Sequence, residues 1–80
     1  MPPNPFPSMR GRALFALLAR EPLSYAIVRQ KGSHRRLESS RGYPPLLFAF
    51  HDGDSIPPGL VRKVLVKDVG LSVDEAVAIL

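Results

Sequence analysis

Cysteine is absent from all 80 residues, which excludes a disulfide framework and any thiolate metal site. No apolar run approaches the roughly 20 residues that a membrane-spanning helix requires. The opening "MPPNPFPS" has neither a basic start nor a hydrophobic stretch, so it does not read as a signal peptide. These absences fit a soluble, cytoplasmic protein without a membrane partner. Acidic residues are scarce in the first half. From Arg10 to Arg41, eight basic residues stand against only Glu21 and Glu38, a balance of +6. From Gly42 to Leu80, three basic residues stand against five acidic ones, a balance of −2. That asymmetry suggests one surface facing a polyanion and a second of different character, with ordinary solvated charge as the plainer alternative.

What is present suits one small domain. A chain of 80 residues with 45% hydrophobic content holds a single core, too small to be very stable by itself. Met1 to Pro7 contain four of the nine prolines, so residues 1–8 read as a flexible arm ahead of a domain spanning 9–80. Ser8 suits an N-cap, and "MRGRALFALLAR" places Leu14, Leu17 and Leu18 on one helical face until Pro22 stops the helix. Ser24 to Gln30 reads as a strand, Lys31-Gly32 as a tight turn and Ser33 to Ser39 as a polar second strand. "SSRGYPP" is a loop, and "LLFAFH" is a third strand with Leu46, Phe48 and Phe50 in the core. "HDGDSIPPG" is the next loop. A helix opening at Pro57-Pro58 then carries Leu60, Val61, Val64 and Leu65 as its stripe, and Gly70 stops it. "SVDE" is a capping box that opens a short last helix with Val73, Ala76, Val77 and Leu80 on one face. The expected fold class is α+β: helix, three-stranded antiparallel sheet, helix, short C-terminal helix.

The stretch "VRQKGSHRR", Val28 to Arg36, stands apart. One histidine is surrounded by Arg29, Lys31, Arg35 and Arg36, and period-two alternation puts His34, Arg36 and Glu38 on one face. Cations on an edge strand deter edge-to-edge pairing, which is the bland account. The sharper one is that the site handles phosphates.

Two blocks of this chain resemble the HicA (YcfA-like) family of toxin ribonucleases. Arg29, Gly32, Ser33 and His34 match its R-x-x-G-S-H pattern, and Pro58-Gly59-x-x-Arg62 with Gly70-Leu71-Ser72 forms the second block. The resemblance covers about Arg10 to Leu80. It implies a double-stranded-RNA-binding-domain-like (dsRBD-like) fold, metal-free cleavage of mRNA with no cofactor, and neutralisation by a HicB-like antitoxin. The chain departs from the pattern at Ser24-Tyr25, where the family usually has Gly and a large aromatic. It departs again at Ala49, where many members have proline, and at Arg35, where a histidine or aromatic is common.

Metal-free RNA cleavage uses the ribose 2′-hydroxyl as nucleophile and needs a base, an acid and cations for the phosphorane charge. Histidine titrates near neutrality and serves either proton-transfer role. His34 is therefore the expected catalytic residue of an endoribonuclease, with Arg29, Lys31, Ser33, Arg35 and Arg36 as the RNA- and phosphate-binding set. His51 has three open roles: partner acid, RNA contact, or cap of the "DGDS" loop. A metal held by His51, Asp52 and Asp54 is the weaker reading, because Asp-Gly-Asp is ordinary turn chemistry. Tyr25 and Tyr43 fit the core better than base stacking. Two alternatives stand beside the nuclease: a non-catalytic RNA-binding module of the same shape, and an interaction protein whose basic face docks an acidic partner.

Overall fold

The computed structural model describes residues 5–80. Nine short segments follow one another: β1 (Met9–Arg10), α1 (Gly11–Ala19), β2 (Tyr25–Lys31), β3 (His34–Ser39), β4 (Leu46–Phe48), β5 (Ser55–Ile56), α2 (Pro58–Arg62), a π-helical segment (Lys63–Asp68) and α3 (Val73–Ile79). The main sheet is antiparallel in the order β2-β3-β4, and a separate two-stranded ribbon joins β1 to β5. The α+β order of helix, three-stranded sheet, helix and short helix is the one the sequence pattern predicts.

The hairpin between β2 and β3 turns on two residues, Gly32 and Ser33, rather than on Lys31-Gly32, with Lys31 pairing directly with His34. Gly32 has φ +60 and Ser33 does not enter the left-handed region. A positive φ at the first central position only is the pattern of a type II′ turn, which matches the twist of the strands it joins. Ser24, expected as the first residue of β2, instead has φ 52 and stands outside the strand.

One feature of β2 decides what its exposed side carries. Ile27 pairs with Leu37 and Arg29 with Arg36, so Val28 is an extra, bulged residue. Opposed residues of an antiparallel pair share a face. Leu37 is fully buried, so Ile27 lies on the inner face and Arg29, two residues on, lies on the outer one. Regular alternation would have put both on the same side. The bulge therefore moves Arg29 and Lys31 to the face that holds Arg36 and His34.

The inner face packs Tyr25, Leu37, Leu46 and Phe48 against Leu14, Leu17 and Leu18 of α1 and against Val61, Val64, Leu65 and Val69. Several details depart from the sequence expectation. The N-cap of α1 is Arg10 rather than Ser8, because the chain first pairs as β1 with β5, a strand inside what reads as a loop. β4 ends at Phe48 instead of running on to His51, leaving Phe50 half-buried, edge-on to the Phe48 ring. Leu60 is exposed, and Val69 takes a core place instead. The widened π turn, in which the Val69 N–H reaches the Val64 carbonyl at 2.9 Å, rotates the stripe. In α3 both capping-box bonds form between Ser72 and Glu75. Yet only Ala76 is buried and Ile79 half-buried, while Val73, Val77 and Leu80 stay exposed. This helix rests on the core along one edge.

The core also reaches upstream of Met9. Phe6 is only 3% exposed and belongs to it, although residues 1–8 read as an arm. Burial of one aromatic ring outweighs the prolines beside it. Residues 1–4 of that arm lie outside the described residues. Among the described residues, no helix is long and apolar enough to cross a membrane.

Candidate RNA-binding face

Two neighbouring rows of the outer sheet face carry the candidate residues. Arg29, Arg36 and Leu47 lie side by side across all three strands, and Lys31 lies beside His34 at the hairpin end. All five are exposed. Arg29 directly opposite Arg36 is a like-charge pair, which destabilises a sheet. Partial relief comes from Glu38, whose carboxylate is 3.5 Å from Arg36 Nε. Three uncovered cations beside one imidazole form a ready site for a phosphate group, since guanidinium groups take anionic oxygens in pairs. Leu47, 70% exposed at the end of the first row, adds an apolar patch next to the charges. Ser33 sits half-buried in the turn that presents His34.

The structure does not bring Arg35 to this group. It lies on the inner face, opposite Gln30 and Phe48. Its guanidinium stands 5.4 Å from the Phe15 ring centre and 5.9 Å from that of Phe48, and Nη2 meets Asp52 Oδ1 at 3.2 Å. Its side chain is only 17% exposed. Stacked between two rings and paired with a carboxylate, Arg35 has little left to offer a ligand on the other side. Period-two spacing already separated it from Arg36; nearness in sequence alone grouped it with the phosphate set.

His51 lies beyond β4, in the loop that meets the start of α1. Arg35 pairs with Phe48 and Leu37 with Leu46, so β4 ends beside the start of β3. His34 and His51 therefore belong to the same end of the sheet. The loop that holds His51 accepts from the helix N-terminus: the Gly11 N–H donates to the Asp54 carbonyl at 2.9 Å and the Arg12 N–H to the Asp52 carbonyl at 3.1 Å. These bonds satisfy donors that the first turn of a helix otherwise leaves open. Gly11 is needed here, because a Cβ would sit 2.0 Å from the His51 carbonyl oxygen. The carboxylates of "DGD" are both engaged, Asp52 with Arg35 and Asp54 with the His51 N–H at 2.9 Å. Turn and strut chemistry accounts for them without an ion. Tyr25, a candidate for stacking, is buried, and its hydroxyl donates to the Pro44 carbonyl at 2.7 Å; Tyr43 packs partly against the core.

The small α+β domain thus turns three cations and a histidine outward from one sheet face. Its family follows from the sequence: residues 12–71 match the model described as "HicA toxin of bacterial toxin-antitoxin", and the chain belongs to the HicA toxin family. It is thus the toxin of a toxin–antitoxin system, of a family of ribonuclease-type toxins, and has an antitoxin partner. No curated protein and no solved structure matches the chain significantly.

Proposed function

We propose that the protein is an endoribonuclease that cleaves mRNA at the outer sheet face, with His34 as the catalytic histidine. Arg29, Lys31 and Arg36 hold the phosphate, and Ser33 contacts it from the turn. The observation that carries this reading is the bulge at Val28, which collects Arg29, Lys31, His34 and Arg36 on one exposed surface. A sheet gains nothing in stability from that grouping, so the natural account is an anionic ligand. His34 removes the 2′-hydroxyl proton as the oxygen attacks phosphorus, and the cations stabilise the charge that builds on the phosphorane. The chemistry is metal-independent in this reading, because three cations around the histidine repel a divalent ion. The antitoxin, of the HicB-like kind, covers the same basic face and so competes with RNA.

Purified protein should cleave RNA in the presence of EDTA and leave 2′,3′-cyclic or 3′-phosphate ends. His34→Ala should slow cleavage by about 100- to 10,000-fold, the usual worth of a proton-transfer group. RNA affinity should fall far less. Full cleavage by the His34→Ala protein would overturn the assignment, and tight RNA binding without cleavage by the wild type would favour the non-catalytic binding module.

A further inference from the structure

Four residues after β4 are fixed more heavily than a surface loop requires. Within the loop, the His51 N–H donates to Asp54 Oδ2 and the Asp54 N–H to the His51 carbonyl at 3.0 Å. From the helix side, the Gly11 and Arg12 N–H groups and Arg10 Nη1, the last at 2.8 Å from the Gly53 carbonyl, all donate to it. From the sheet side, Arg35 holds Asp52. Not one of these bonds uses the His51 imidazole, and the residue is exposed. The ring is therefore not the cap of its own loop: backbone carbonyls and Asp54 do that work. A rigid mount for one free imidazole is how a proton-transfer group is held in place.

We propose that His51 is the second catalytic residue, the acid for the departing 5′-oxygen, and that Arg35 and Asp52 are the positioning residues that hold it beside His34. The proposal rests on reading the His34 face as an RNA-cleaving site. His34 and Arg35 are neighbours on β3, and His51 and Asp52 are neighbours in the loop, so the Arg35–Asp52 ion pair ties the two histidine-bearing segments together one residue from each ring. The packing of Arg35 between Phe15 and Phe48 fixes that tie. Arg29, Lys31 and Arg36 lie on the His34 side, while the His51 loop is held by the Arg35–Asp52 pair and by Arg10, which donates to the Gly53 carbonyl. In the step itself, the 2′-oxygen bonds to phosphorus as its proton passes to the neutral His34 ring. The bond from phosphorus to the 5′-oxygen breaks, and that oxygen takes a proton from protonated His51. The products are a 2′,3′-cyclic phosphate and a 5′-hydroxyl end, with one proton moved in net from one oxygen to the other.

Two substrates separate the roles. A ribodinucleotide has a poor alkoxide leaving group, whereas uridine 3′-(4-nitrophenyl phosphate) loses 4-nitrophenolate, which departs without a proton. His51→Ala should be slower than wild type by about 100-fold or more on the dinucleotide and within a few-fold of it on the nitrophenyl ester. His34→Ala should be slow on both. Arg35→Ala and Asp52→Ala should lower kcat for the dinucleotide with KM and its salt dependence unchanged. Asp52→Asn, which keeps an acceptor for the guanidinium, should recover part of the loss, with circular dichroism confirming the fold of each variant. Equal rates for His51→Ala and wild type on both substrates would sink the proposal, as would equal slowing on both. A raised KM for Arg35→Ala, with a shallower salt slope, would make Arg35 a phosphate ligand and remove it from the positioning role. If the wild type cleaves neither substrate, the nuclease reading falls first and this inference with it.

Discussion

The two faces of the same three strands are built to opposite rules. On the inner face, Tyr25, Leu37, Leu46 and Phe48 are buried, and even the one cation there, Arg35, is stacked on rings and paired with Asp52. On the outer face, Arg29 opposes Arg36, Lys31 sits beside His34, and Leu47 is bare. Burial of these inner apolar residues lowers the free energy of the fold. The outer grouping raises it through like-charge repulsion, and the proposed use of that face by RNA is what offsets the cost. The lesson is local: neighbours in sequence such as Arg35 and Arg36 do unrelated work, because a strand alternates its faces every residue.

The largest contrast should come from matched substitutions on adjacent β3 residues. Leu37 is fully buried at the centre of the sheet. Leu37→Ala should cost about 2–5 kcal/mol through lost burial and the cavity it leaves, and in so small a domain that should appear as loss of the cooperative melt. Arg36→Glu should leave the melting temperature nearly unchanged, since it exchanges repulsion with Arg29 for repulsion with Glu38 on an exposed face. Its RNA affinity should nonetheless fall about tenfold or more, with a weaker salt dependence. A destabilised Arg36→Glu protein with normal RNA affinity would reverse the assignment of the two faces.

A smaller effect tests the polar edge of the inner face. The Tyr25 hydroxyl donates to the Pro44 carbonyl at 2.7 Å. Burial, with Tyr43 as a lesser contributor, pushes the phenol up from its ordinary 10 to about 12. A raised folded pKa means that the fold favours the protonated phenol. Its contribution is complete below about pH 10 and is lost as pH rises from there through about 12. Tyr25→Phe should cost about 1 kcal/mol at neutral pH and should flatten the decline of stability in that alkaline window. An unchanged pH profile in denaturant titrations would show that Tyr25 is not the group responsible.

Local chemistry made much of this legible from sequence. The Ser72–Glu75 capping box depends on residues three apart, and both of its bonds are present. Alternation along β3 correctly placed His34, Arg36 and Glu38 together, away from the buried Leu37. What escaped depends on contacts between distant segments. Pairing of Met9–Arg10 with Ser55–Ile56 joins two stretches too short to announce themselves as strands. The bulge at Val28 exists because Ile27 and Arg29 answer to different partners on β3, and no count along β2 alone shows that. The π turn likewise brings Val69, five residues after Val64, into the core, which a 3.6-residue stripe cannot foresee. For the site, the cations were visible as composition and alternation along β3 already set Arg35 apart from Arg36, while the turn of Arg29 and Lys31 to the outer face required the pairing.

Ser24 offers the smallest and most local test, at the entrance to the edge strand that carries both faces. Its φ of 52 puts a residue with a Cβ in the left-handed region, at a cost of about 1–2 kcal/mol relative to ordinary backbone. The position is not free to relax. Its N–H donates to the Arg20 carbonyl at 2.9 Å, and its own carbonyl accepts from the Ser40 N–H at 3.2 Å, so it joins the end of α1 to the end of β3. Ser24→Gly keeps both backbone bonds and removes the strain, offset in part by the greater freedom of glycine in the unfolded chain. The net gain should be a few tenths to about 1 kcal/mol in denaturant midpoint measurements, with RNA cleavage unchanged because Ser24 lies at the far end of β2 from His34. Ser24→Val, β-branched at the same angle, should lose stability instead. If glycine destabilises the protein, the serine side chain contributes more than its backbone strain costs, and the turn rather than the strand sets the entry of β2.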